Sequence, residues 1–197
     1  IDPRIASITS TVALSPGQIV AGAMSSARLS MRSLTWARIV VAIIFAMLGG
    51  VSGALLLLET SAGSFRALVP WLVLFATVVY AFSGGPAPMR VQQRLPQPVF
   101  LAILLTLGVY GGYYGGGNSF LVLALLAFTG LSDKQGVLAK NVYVAAINAG
   151  AVAVFAFSSL LQWQLLVPLA AGGMLGSAAG MHIVDWMKPS ALRPMII

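Results

Sequence analysis

Apolar residues run along this chain in blocks about as long as a membrane is thick, and the charges fall between the blocks. A helix that spans a bilayer needs about 20 predominantly apolar residues. Ile5 to Ala27 is one uncharged block, rich in Ser and Thr; Ile39 to Leu58 is a second and Ala67 to Gly85 a third. A connector follows with Pro86, Pro88, Arg90, Arg94, Pro96 and Pro98. Proline at that density stops helices.

Leu95 to Ser132 is uncharged for 38 residues. As a single helix it would measure roughly 57 Å, against a hydrocarbon core of about 30 Å. The stretch YYGGGNSF, Tyr113 to Phe120, divides it. The pattern predicts helices over 99–114 and 119–130, joined either as a hairpin that bends inside the membrane or as one broken helix. Asn141 to Val184 is uncharged for 44 residues and divides at Leu161-Gln162-Trp163-Gln164, a polar and aromatic turn of the kind found at membrane interfaces. That predicts spans near 136–160 and 163–184, with a last helix from Ser190.

Composition agrees. Hydrophobic residues make up 59% of the chain and charged residues 8%, where a soluble domain carries about 25% charged. The expected fold class is an all-α polytopic membrane protein. The net charge of +7 would suggest nucleic acid in a soluble protein. Here the basic residues sit between apolar runs, and the positive-inside bias accounts for them, so no nucleic-acid partner is expected. Without cysteine there is no disulfide, thiolate metal site or cysteine nucleophile.

Loop charge separates the two readings of the glycine run. Arg28, Arg32 and Arg38 share a side with Arg90 and Arg94, because two spans lie between them. If the run is a hairpin, Lys134, Lys140, Lys188 and Arg193 join that side, leaving only Arg4 and Arg66 opposite. A single broken span would move those four basic residues to the other side. The positive-inside rule favours the hairpin and makes the basic side cytoplasmic.

The chain also echoes itself at an offset of 127. Leu34-Thr35-Trp36 resembles Leu161-Gln162-Trp163, Met47-Leu48-Gly49 matches Met174-Leu175-Gly176, Gly53 matches Gly180 and Arg66 matches Arg193. With the hairpin, the two copies run in opposite senses across the membrane. Inverted repeats characterise secondary transporters that bind substrate near the midplane. The expected organisation is a first repeat over 1–85, a cytoplasmic linker over 86–98 and a second repeat over 99–197. The second repeat's glycine run lacks a partner in the first, and the chain opens at Ile1 without Met. A further hairpin is therefore expected ahead of Ile1.

The segments GVYGGYYGGGNSFLVLALLAFTG, AKNVYVAAINAGAVAVFAF and QWQLLVPLAAGGMLGSAAG resemble the second half of the TauE/SafE sulfite-exporter family, also called the 4-toluene sulfonate uptake permease family. ITSTVALSPGQ and LTWARIVVAIIFAMLGGVSGALL resemble its first half. The resemblance implies a carrier of sulfite or a small organosulfur anion, built from two repeated halves in the inner (plasma) membrane. Where the family's glycine run usually continues with glycine and a larger apolar residue, Asn118 and Ser119 stand here. Lys140-Asn141 stands near the place of a Thr-Ser pair common in the second half, while Thr9-Ser10 keeps that pair in the first.

Several residues can carry anion chemistry, each with a structural alternative. Gly115, Gly116 and Gly117 let the backbone turn, Asn118 or Ser119 can cap the next helix, and its free N–H groups and dipole attract anions; the alternative is a plain hairpin tip. Lys140 could pair with an anion or snorkel to the interface. Asn141 and Asn148, seven apart, share a helix face that either lines a path or bonds a neighbouring helix. Ser7, Thr11, Ser15, Gln18 and Gly22 form a stripe on the first helix, with Thr9 and Ser10 close by and Pro16-Gly17 set to kink or break it. Gly49, Gly53, Gly172, Gly176 and Gly180 read as close-packing positions. His182 and Asp185 read as an interface cluster, with a proton relay as the alternative, and Tyr110, Tyr113 and Tyr114 either pack or line a cavity.

No phosphate-binding loop, zinc motif or nucleophile constellation is present. The expectation is a secondary transporter, not an enzyme, with no cofactor. Its partners are a small anion, the lipid bilayer and a coupling proton or sodium ion. An anion channel, or a carrier of a non-sulfur organic anion, is the competing reading.

Overall fold

A computed structural model describes residues 2–29, 36–82, 95–131 and 133–173. The described residues form helices joined by turns, in the order α1 Pro3–Arg28, α2 Trp36–Glu59, α3 Ala62–Phe82, α4 Gln97–Tyr113, α5 Asn118–Ala127 and α6 Asp133–Phe155, with a further helical stretch at 163–173. Three of them, Trp36–Glu59, Ala62–Val79 and Gln135–Phe155, are long and apolar enough to cross a membrane. Their outer faces expose Trp71, Leu48, Leu74 and Phe75, which suits lipid and not water.

Each helix starts or stops for a local reason. Asp2 caps α1: its carboxylate accepts from the Arg4 N–H at 2.9 Å, and Pro3 occupies a first-turn position where a missing N–H costs nothing. Pro16-Gly17 does not break α1, which runs on to Arg28. Pro16 removes the N–H that would reach the Val12 carbonyl, and the Ser15 hydroxyl donates there instead at 2.8 Å. Of the expected kink or break, no break occurs: the Ser15 hydroxyl satisfies the carbonyl that Pro16 leaves free, and the helix continues.

The helix directions follow from contacts between their ends. Arg4, at the start of α1, donates to the Thr60 carbonyl just after α2 at 2.7 Å, so α1 and α2 run in opposite senses. On α1, Gln18 meets Asn148 and Ser25 meets Asn141, so α6 is antiparallel to α1. Phe65, near the start of α3, packs with Leu57 of α2 and Phe155 of α6 at one end of the bundle. At the other end Ala42 of α2, Leu104 of α4 and Tyr143 of α6 share a second core.

The glycine run makes a hairpin. The Leu95 N–H, just ahead of α4, donates to the Phe128 carbonyl just after α5 at 3.3 Å, so the chain returns to the end it left. Arg28 and Arg38 belong to that end, and Arg4 and Arg66 to the opposite one. Arg32, Arg90, Arg94, Lys188 and Arg193 lie outside the described residues, as do most of the 86–98 linker, Met174–Gly176, Gly180, His182, Asp185 and the expected helix from Ser190.

Glycines set the helix spacing. A Cβ on Gly112 of α4 would collide with the Gly50 carbonyl of α2, and a Cβ on Gly50 with the Ile147 carbonyl of α6. With no side chains between them, α2, α4 and α6 approach backbone to backbone, as membrane helices do when lipid offers no hydrophobic drive. The expectation of a packing role holds for Gly49 and Gly53, which face the α4 backbone. Gly172 meets nothing within 4 Å.

Candidate functional site at the hairpin tip

Between α4 and α5 the backbone turns through Gly115 at φ +79° and Gly117 at φ +76°. Both values are in the left-handed region that side chains disfavour. Gly117 is the N-cap of α5, and no side chain caps that helix. This corrects the expectation that Asn118 or Ser119 would cap it: with Gly117 turning the chain, Asn118 is already the first helical residue. The Asn118 N–H donates to the Gly115 carbonyl at 3.4 Å, while that of Ser119 finds no acceptor among the described residues.

The tip faces a cavity of about 780 Å³. α1 contributes Thr9, Ser10, Thr11 and Gln18; the tip contributes Gly115, Gly116, Asn118 and Ser119; α6 contributes Asn148. Three segments far apart in sequence thus bring most of the expected residues to one cavity. Apolar lining comes from Phe65 and Val69 of α3 and from Leu165 and Leu169 of the helical stretch at 163–173. No Asp, Glu, His, Lys or Arg is among the described residues that line it.

The polar groups differ in what they have left to offer. Ser10 and Thr11 both donate to the Ser7 carbonyl, at 3.0 and 2.8 Å. Asn148 donates to the Gln18 side-chain oxygen and, at 2.9 Å, to the Val144 carbonyl. Thr9 and Asn118 stand apart: at 1% and 3% exposure, Thr9 Oγ1 and Asn118 Oδ1 have no hydrogen-bond partner among the described residues. A buried polar atom left unmatched costs about 1–3 kcal/mol, so its presence at a cavity calls for a ligand or ordered water. Gly111 accommodates Asn118; a Cβ there would overlap the amide.

Gly117 belongs to the other face of the tip. With Tyr114, Gly116 and Phe120 it lines a smaller cavity of about 280 Å³ against Val73, Ala76 and Thr77 of α3. Tyr114 and Gly116 therefore wall both cavities. Tyr113 packs edge-on against Phe65, with ring centroids 5.6 Å apart. The Tyr110 hydroxyl is within donating distance of the Gly116 carbonyl at 2.7 Å and the Leu72 carbonyl at 3.1 Å, tying the tip to α3.

Lys140 and Asn141 are not brought to the cavity. α6 begins at Asp133, so Lys140 is about 10 Å along it by helical rise, half-buried, and absent from the lining. Asn141 donates to the Ser25 hydroxyl at 3.0 Å, making the interhelical bond that was its alternative role. Asn141 and Asn148 share a helix face, but only Asn148 is high enough to meet the tip. The apolar lining from α3 was missed because Phe65 and Val69 look like lipid-facing positions in the sequence; Gln162, which also lines the cavity, sits in the interface turn.

The profile of the family described as "Sulfite exporter TauE/SafE" matches residues 1–197. The chain belongs to this family. Membership makes it an integral membrane transporter, in keeping with its apolar helices. A "Probable membrane transporter protein" of Haemophilus influenzae is 26% identical over 184 residues, covering 91% of this chain and 72% of that protein. Similar relatives are "Probable membrane transporter protein ORF9" of a Sinorhizobium species, 24% identical over 151 residues, and "Probable membrane transporter protein YfcA" of Escherichia coli K12, 25% identical over 151. Each of these alignments covers 76% of this chain, but only 58% and 56% of the two relatives. No solved structure matches the chain.

Proposed function

We propose that this TauE/SafE transporter is a secondary carrier of sulfite or a small organosulfonate in the inner (plasma) membrane, and that the anion binds at the hairpin tip. The observation that carries the reading is the pairing of the uncapped start of α5 with a partly open, mainly apolar cavity into which several neutral polar residues are gathered. The first N–H groups of a helix point outward from its end and carry roughly half a positive charge. Irregular backbone inside a membrane is tolerated where it lines a cavity. The Ser119 N–H and the Asn118, Asn148 and Thr9 side chains supply neutral polar groups, and the apolar wall takes an organic tail.

In this reading α1 and α2 belong to a first repeat within 1–85 and the hairpin with α6 to a second, inverted copy within 99–197, joined by the cytoplasmic 86–98 linker. The antiparallel packing of α1 on α6 supports it, since an offset of 127 sets residues near Gln18 against residues near Ala145. Alternating access then arises from movement of one copy against the other.

The test is a thermal-shift panel on purified protein with sulfite, thiosulfate, sulfoacetate, taurine and simple carboxylates. Sulfur oxyanions are expected to raise the melting temperature. Stabilisation by carboxylates alone would replace the substrate class. Electrical current without saturable flux in proteoliposomes would replace the carrier with a channel.

A further inference from the structure

The polar stripe on α1 runs further than the cavity does. Thr11, Gln18 and Ser25 are spaced seven apart and share a face of α1. Thr11 and Gln18 line the cavity, while Ser25, about 10 Å beyond Gln18 by helical rise, is buried. α6 repeats the arrangement, with Asn148 on the cavity and Asn141 nearer the Arg28 end. On α1 the described lining reaches from Pro3, in the first turn, to Gln18, and Gln162 of the interface turn joins it at the Arg4 end. Beyond Gln18 the two helices close. A Cβ on Gly22 would overlap the Ala145 side chain, and Asn141 donates to the Ser25 hydroxyl at 3.0 Å. The stripe thus continues into a part of the bundle where α1 and α6 are shut against each other.

We infer that the α1–α6 seam, from Gln18–Asn148 to Ser25–Asn141, is the gate on the cytoplasmic side of the anion site, and that its polar groups line the other half of the path when α1 moves off α6. The conformation described here then takes up or releases anion at the Arg4 end. A seam that is wetted in one state has to be polar, because its groups then exchange a protein partner for water at small net cost. Side-chain hydrogen bonds between membrane helices are individually weak, so such a seam can part. The seam of α2, α4 and α6 is of the other kind: Gly49, Gly50, Gly112 and Gly150 bring backbones together with no side chain between them. Gly22 serves closure on the gate itself, letting α1 seat on Ala145. One face of the gate comes from 1–85 and the other from 99–197, so movement of one half against the other opens it.

This inference rests on the anion site proposed above, and the test separates the two. The chain has no cysteine, so Ser25→Cys/Asn141→Cys sets a single thiol pair across the seam, which mercuric ion bridges in proteoliposomes. Bridging should cut sulfoacetate uptake at least about tenfold, because one of two required states is removed, and dithiothreitol should restore it. Sulfoacetate affinity should fall no more than about twofold, since the cavity stays open at its other end. Each single variant should be indifferent to mercuric ion. Undiminished uptake by the bridged protein overturns the gate and leaves the anion site standing; loss of binding together with uptake, or a thiol pair that does not bridge, also overturns it. A second readout needs no transported anion. Ser25→Cys should react with a membrane-impermeant methanethiosulfonate from the cytoplasmic side and not from the Arg4 side, while Ala42→Cys, buried in the α2 core at the same end, should stay unreactive. Reaction from neither side, or from the Arg4 side, overturns the gate. Cytoplasmic-side labelling in a protein that binds no sulfoacetate keeps the gate and removes the anion reading.

Discussion

Asn148 of α6 and Gln18 of α1 are joined side chain to side chain, the asparagine amide donating to the glutamine oxygen at the edge of the tip cavity. The bond clamps two helices that belong to different halves of the chain. Between membrane helices such pairs contribute about 0.6 kcal/mol on average and up to about 1.7. A double-mutant cycle with Gln18→Leu and Asn148→Leu, read by thermal unfolding in detergent, should give a coupling in that range. Additive losses would show that the two helices are held by packing alone.

The glycine contacts make a sharper claim. Gly112→Ala should lose about 1–3 kcal/mol, because the added methyl meets the Gly50 carbonyl and backbone cannot step aside. Gly136→Ala, whose methyl would meet nothing within 4 Å, should be neutral or gain up to about 1 kcal/mol from helix propensity. Comparing unfolding of the two variants checks the spacing of α2, α4 and α6; equal effects would contradict it.

Lys140 gives a prediction of the opposite kind. Half-buried on α6 and away from the cavity, it should have little part in anion recognition. Lys140→Met is expected to leave sulfoacetate affinity within about twofold, the scatter of a distant surface change. A tenfold loss by titration would return Lys140 to the binding site.

At the other end of the bundle, hydrogen bonding to the Arg4 guanidinium holds the Asp2 carboxyl below the usual carboxylate range. A depressed folded-state pKa contributes stability above the unfolded value of about 4, lost as pH falls through the lower folded value. Thermal stability should therefore decline as pH drops below about 4, and Asp2→Asn should flatten that part of the profile. An unchanged profile would mean the Asp2–Arg4 pair is fully screened by solvent.

Much of the scaffold was legible in the sequence because lipid imposes a simple rule: apolar blocks of spanning length become helices. The expected block at 39–58 became Trp36–Glu59, and the block at 5–27 became Pro3–Arg28. The hairpin at the glycine run was readable from the alternation of basic loops, and the Leu95–Phe128 bond closes it. The cavity was less legible. Periodicity placed Asn141 and Asn148 on one face, yet depth along the helix decided that only Asn148 reaches the tip. Sequence could not tell that Ser10 and Thr11 spend their hydroxyls on Ser7 while Thr9 does not, since that choice depends on rotamers and neighbours. The apolar wall of Phe65 and Val69 carries no sequence mark separating it from lipid-facing positions.

The most direct test of the central claim is protection of the tip by substrate. The chain has no cysteine, so Ser119→Cys gives a single reporter on the cavity wall and Ser64→Cys an exposed control on α3. The rate of labelling by N-ethylmaleimide is followed with and without sulfoacetate. Anion binding at the tip predicts that sulfoacetate slows labelling at position 119 at least about fivefold under near-saturating ligand and leaves position 64 unchanged. Equal labelling rates at 119 with and without the anion, at concentrations that stabilise the protein, would contradict the account.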